Sequence, residues 1–179
     1  MTREVARLAL LLLLGLPLTA IVGLFVGGTL ADVLGAAGFN LAVLALGALA
    51  STVAAHRGLP PRSRPLVPAF GVQGAHAVWL LTAVLLRRQW GGLIDVLAIA
   101  GPLIWLGARP ERRPAAVLLI AHGIESLLLL FQWARDPDPG AQLPVLVSHL
   151  SLRLAGALLT VRALQTIWRR DRRPVPRLG

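Results

Sequence analysis

The sequence contains no cysteine. Disulfides, thiolate metal sites and thiol nucleophiles are therefore excluded. It contains no lysine either: all 18 Lys+Arg positions are arginine, so there is no lysine to form a Schiff base. Arginine without lysine fits GC-rich codon usage, and with it a bacterial source. Also missing are a His-Glu-x-x-His pair, a Gly-x-Ser-x-Gly elbow and a glycine-rich phosphate cradle. No motif identifies a family, and no internal repeat of the kind found in inverted-repeat transporters is evident.

What is present is apolar sequence. Of the 179 residues, 56% are hydrophobic and the mean hydropathy is +0.72. Soluble domains usually lie at about 45–50% apolar, so the excess calls for lipid as solvent. The net charge of +10 is not a nucleic-acid signature. The arginines stand at the ends of apolar runs, where they face headgroups, and not on a soluble face with stacking aromatics.

Six apolar segments are separated by charge or by Pro/Gly: residues 8–28, 33–55, 69–86, 90–107, 115–133 and 143–161. As helices they would each be about 27–34 Å long at ~1.5 Å per residue, which matches a hydrocarbon core of about 30 Å. Lipid leaves no solvent for unpaired backbone, so the segments are expected to be helical. The fold class is thus all-α, a polytopic membrane bundle of six transmembrane helices forming a single domain over residues 1–168. Residues 169–179 form a basic, proline-bearing cytoplasmic tail expected to be disordered. Residues 57–68 hold four prolines and three arginines and should interrupt helix, as should residues 109–114 and the Arg-Asp-Pro-Asp-Pro-Gly turn at 135–140. Arg3 and Arg7 precede the first run as in a signal peptide, but its 21 residues exceed a usual signal core. An uncleaved first span is expected.

Arginine placement sets orientation. With the N-terminus inside, the cytoplasmic side holds Arg3, Arg7, Arg57, Arg62, Arg64, Arg109, Arg112, Arg113, Arg169, Arg170, Arg172, Arg173 and Arg177. The outside holds Arg87, Arg88 and Arg135. This imbalance predicts both termini inside. Trp90, Trp105, Trp133 and Trp168 fall near expected helix ends, where indoles prefer to sit, and only Trp79 is mid-span. Gly23/Gly27, Gly47/Ser51 and Ala50/Ala54 provide small-xxx-small spacings for close helix approach.

Ionisable groups inside a bilayer are costly and therefore informative. The candidate polar centre comprises Asp95, Glu125, Arg153, His76, His122 and His149, with Asn40, Gln73, Ser126, Ser148 and Ser151 as neutral companions. His122 and Glu125 are i, i+3, and His149 and Arg153 are i, i+4, a stripe that Gly156 and Thr160 continue. Counting ~1.5 Å per residue from each span end puts Asp95 roughly 8 Å below the outer boundary and His76 about 17 Å, with the other four between. The sixth span holds six leucines and three valines between residues 145 and 161. They favour insertion by about 4 kcal/mol, while a central Arg153 costs about 2.5–3.5 kcal/mol. A carboxylate partner is needed, and Glu125 agrees best in depth.

Three functions fit this pattern. The first is movement of a small solute or ion through the centre of a multi-pass bacterial inner-membrane protein. The second is a membrane-embedded accessory or scaffold subunit with a structural Arg–carboxylate–His network. The third is an intramembrane metal-dependent enzyme using His122, Glu125, His149 and His76. His-x-x-Glu alone is weak and Arg153 would repel a cation, so no metal and no cofactor is assigned; a haem between His76 and His122 is a weaker variant of the same idea. The partners implied are the lipid bilayer, a small solute or ion, and a second copy or another membrane subunit, with no nucleic acid.

Overall fold

The computed structural model describes residues 3–88, 90 and 92–171, and for residues 3–5, 87, 141 and 142 the backbone alone. Every regular element among the described residues is helical. The order is α1 (Arg3–Gly58), a 3₁₀ turn (Pro61–Leu66), α2 (Val67–Arg87), α3 (Gly92–Ala108), α4 (Arg112–Ala134) and α5 (Pro139–Asp171). Four stretches are long and apolar enough to cross a bilayer: Ala6–Gly58, Pro61–Leu86, Arg112–Ala134 and Leu143–Asp171. Helix α3 is apolar but shorter, at 17 residues.

Helix α1 is not one rod. Gly35 adopts φ 66°, ψ −162°, a region essentially closed to residues with a Cβ. There the chain doubles back. Gly27 packs against Phe39 and Gly23 against Val43, and near the other end Gly58 lies against Leu8. Residues 3–34 and 36–58 are thus the two arms of a helical hairpin. The sequence reading placed the break a few residues earlier, at 29–32. The helix instead continues through Thr29, whose hydroxyl donates to the Phe25 carbonyl, and stops only where glycine permits the turn.

Helix α2 is the centre of the bundle: 78% of its apolar window is buried, against 22–28% for the other three spanning stretches. One of its faces packs Ala77, Val78 and Leu81 with Leu16, Ala20 and Val43 of the hairpin and Val96, Ile99 and Ala100 of α3. The approach is close because Gly47 leaves no Cβ against Ala75 and Val78. The other face of α2 packs on α5, and its Gln73 reaches across to His122 of α4. At the end carrying residue 58, Leu8, Leu59, Leu66, Phe70, Leu106, Leu118, Leu164 and Ile167 fill one apolar core drawn from every helix.

Two boundaries differ from the sequence reading. The proline-rich segment is interrupted only around Leu59 and Pro60, then winds as the 3₁₀ turn, with Pro68 in the first turn of α2, where a missing N–H costs nothing. Helix α5 starts at Pro139 and runs to Asp171, so Arg169–Asp171 extend the helix. The remainder of the expected tail, residues 172–179, lies outside the described residues. The extension is amphipathic: Ala163, Leu164 and Ile167 are buried, while Arg162, Gln165, Arg169 and Arg170 are exposed.

Candidate functional site: a buried polar network between α2, α4 and α5

Helix α2 contributes Gln73 and His76, one turn apart and both 1% exposed. They face α5, which approaches closely because Gly156 has no side chain; a Cβ there would lie 2.7 Å from Gln73 Cγ. Gln73 Nε2 donates to the Gly156 carbonyl at 3.2 Å and to Thr160 Oγ1 at 2.9 Å. A carbonyl oxygen can only accept, so this contact fixes the orientation of the amide. Gln73 Oε1 then faces His122 Nε2 at 3.3 Å, and His122 must donate from that nitrogen. Its Nδ1 is left with a lone pair and no partner.

One turn outward, His76 Nε2 and His149 Nδ1 are 2.8 Å apart, one donating and the other accepting. Trp79 stacks on His149 with ring centroids 4.5 Å apart and planes 29° from parallel. The Trp79 indole N–H donates to Asn40 Oδ1 at 2.9 Å, which ties the site to the hairpin. Between α4 and α5, Arg153 Nη1 and Glu125 Oε2 are 2.8 Å apart, with side chains 6% and 9% exposed. The ion pair is close but not aligned. Both Glu125 oxygens, and Arg153 Nε and Nη1, are buried without a directed hydrogen bond.

Five of the six candidate residues therefore join in contacts: His76 with His149, Arg153 with Glu125, and His122 through Gln73. Asp95 stands apart in the first turn of α3, half-buried. It is within electrostatic reach of Arg153 and Glu125 but makes no ion pair or hydrogen bond among the described residues. Of the neutral companions, Asn40, Gln73 and Ser126 belong to the centre, Ser126 because it lines the same recess between α4 and α5 as His122 and Arg153. Ser148 and Ser151 are exposed, and Ser148 only returns a bond to Pro144. Trp79 belongs to the site and was not among the candidates. Its mid-span position, unlike that of the other four tryptophans, was the available signal.

No three His, Asp or Glu side chains come together to hold a metal ion among the described residues. The imidazoles are committed elsewhere: His76 pairs directly with His149, and His122 turns to Gln73. A haem held between His76 and His122 would have to displace both contacts.

A cavity of about 500 Å³ opens at the end of the bundle carrying the Gly35 bend. Phe39, Leu86 and Val145 form part of its wall, and Asn40, Trp79 and His149 form its polar floor. At the opposite end, the apolar core around Leu66, Phe70 and Ile167 closes the bundle. The structure thus defines a membrane-type helical bundle with a polar centre reached from one end. No protein-family profile, curated protein or solved structure matches this chain.

Proposed function

We propose that the protein crosses the bacterial inner membrane six times, with both termini in the cytoplasm, and moves a small solute or ion through the polar centre. The two arms of α1 count as separate spans, and α3 completes six. Trp90 and Trp133 lie toward one end of the bundle and Trp105 and Trp168 toward the other, as two headgroup belts require. The cavity then faces outward, and the apolar core seals the cytoplasmic side.

The observation that carries the transport reading is the incomplete satisfaction of the centre. Buried networks that serve only structure satisfy their polar atoms, because each orphan costs free energy. Here Arg153 Nε, Glu125 Oε1 and His122 Nδ1 are buried without a partner, and His149, one helical turn from Arg153, lines a cavity of ordinary ligand-binding size. The scaffold reading draws on the Arg153–Glu125 pair itself, which ties α5 to α4.

Proteoliposomes separate the two readings. The protein should accelerate flux of at least one member of a panel of protons, Na⁺, K⁺, Cl⁻ and small organic acids and amines. The Arg153→Leu/Glu125→Leu double variant should remain folded and lose that flux. Wild-type vesicles no leakier than empty ones across the panel would contradict transport and leave the scaffold role.

A further inference from the structure

The cavity at the Gly35 end has the composition of a small-molecule site. It exists because the hairpin and α5 both pack on α2 without packing on each other among the described residues. Its volume of about 500 Å³ lies within the usual span of about 300–1,000 Å³ for ligand pockets. Phe39 from the hairpin, Leu80 and Leu86 from α2 and Val145 from α5 make its walls apolar. No arginine, aspartate or glutamate lines it among the described residues. An ion resting there would exchange its hydration shell for walls without a counter-charge, which is costly. A neutral molecule escapes that cost.

Most of the polar groups that line the cavity are already engaged. Thr82 donates its hydroxyl proton to the Val78 carbonyl at 2.8 Å, and His149 Nδ1 is paired with His76. The Trp79 indole N–H goes to Asn40 Oδ1 at 2.9 Å. An indole nitrogen can only donate, so this contact turns Oδ1 toward Trp79 and leaves the Asn40 amide N–H groups for a ligand. Asn40 is half-buried, and its amide nitrogen has no partner yet is not occluded. His149 Nε2 is open too, as donor or acceptor according to which imidazole of the pair donates. The fixed donor asks for an acceptor on the ligand. Three lining side chains, Phe39, Trp79 and His149, carry rings, and ring-on-ring contact favours an aromatic body over an aliphatic one.

We propose that this cavity binds a neutral aromatic carbonyl compound, its ring against Phe39, Trp79 and His149 and its carbonyl oxygen accepting from the Asn40 amide. The site stands whether or not the centre conducts a solute. A ligand seated on His149 would block a conducting centre rather than cross it.

The test is photolabelling of the full chain in lipid nanodiscs with benzophenone, a neutral aromatic ketone that on irradiation inserts into C–H bonds within its reach. Peptide mass mapping locates the adducts. Saturable adducts are expected on Phe39, Leu86 or Val145, above the background at Phe25 and Leu127, which are 75% and 68% exposed on the outside of the bundle. 2-Acetylnaphthalene should compete for them. Diphenylmethane, which lacks the carbonyl, and 4-benzoylbenzoate, which adds a charge, should each compete about tenfold more weakly, a difference of ~1.4 kcal/mol. Asn40→Leu should weaken benzophenone by about tenfold through the lost hydrogen bond. Ala83→Phe, which fills the cavity from its wall, should remove the saturable adducts with an unchanged thermal midpoint. Adducts confined to the outside of the bundle, adducts that do not saturate, equal competition by diphenylmethane or 4-benzoylbenzoate, or labelling unchanged in either folded variant overturns the proposal. Flux in proteoliposomes without cavity adducts overturns the site and leaves transport standing; cavity adducts without flux support the site and count against transport.

Discussion

Replacing either Arg153 or Glu125 by leucine should destabilise the bundle far more than replacing both. The two charges are 2.8 Å apart and under a tenth exposed. At an effective dielectric of about 20 their gross attraction is roughly 6 kcal/mol. Most of that is offset by the cost of taking both from water. A single replacement removes the attraction and leaves the desolvation, which costs about 3–5 kcal/mol in soluble proteins. Snorkelling and alternative partners reduce the cost in a membrane, so about 3 kcal/mol is expected for each single change. For a chain of this length that corresponds to a fall of roughly 6–12 °C in the thermal midpoint. The double variant carries two leucines of suitable polarity for the α4–α5 contact and should lose about 1 kcal/mol. The resulting coupling, about 5 kcal/mol, exceeds the usual range of about 0.5–3 kcal/mol between neighbouring residues. Thermal unfolding of the four proteins in one detergent measures it. Losses that simply add would refute the pairing, and Asp95 would then be the partner to test.

Three further outcomes follow from the packing. Gly156→Ala should cost about 1–3 kcal/mol by overpacking, since its Cβ would lie 2.7 Å from Gln73 Cγ; Gly123→Ala, which meets open space, should stay within about 0.5 kcal/mol of wild type, and paired thermal melts compare them. Gly35→Ala should cost about 1–3 kcal/mol, because φ 66°, ψ −162° is inaccessible to alanine without strain, and it should loosen the hairpin as read by cross-linking of cysteines placed at Gly23 and Val43. The first arm should be present in the purified protein by intact mass, because Leu8 and Leu12 are 0% and 3% exposed in the shared core; a mature chain starting near Ile21 would contradict that packing.

Much of this arrangement was legible in the residues. The apolar runs marked the helices, because lipid admits little else. The agreement of Arg153 and Glu125 in depth pointed to their contact, because both distances follow from a fixed helical rise. The hairpin bend could not be located by hydropathy, since Gly28, Gly35 and Gly38 are equally capable of it and only packing selects one. The extension of α5 past Val161 was missed for a related reason. Arg162, Arg169 and Arg170 lower the hydropathy, while Ala163, Leu164 and Ile167 keep a 3.6-residue period that pins the helix to the core. The pairing of His76 with His149, and the place of Trp79 above them, depend on which helices are neighbours. A single sequence does not encode that in any local pattern.

The absence of native cysteine allows the most direct test of a polar centre open to the outer face and sealed from the cytoplasm. Single cysteines at Ala36 and Ala83, which line the cavity, and at Ala55 and Ala115, which are 0% and 5% exposed in the opposite core, would be treated in intact cells and in inverted vesicles with a membrane-impermeant methanethiosulfonate. Ala36→Cys and Ala83→Cys should react in intact cells and be protected in inverted vesicles, and Ala55→Cys and Ala115→Cys should remain unlabelled in both. Labelling of the cavity positions from the cytoplasmic side alone, or no labelling from either, would contradict the account.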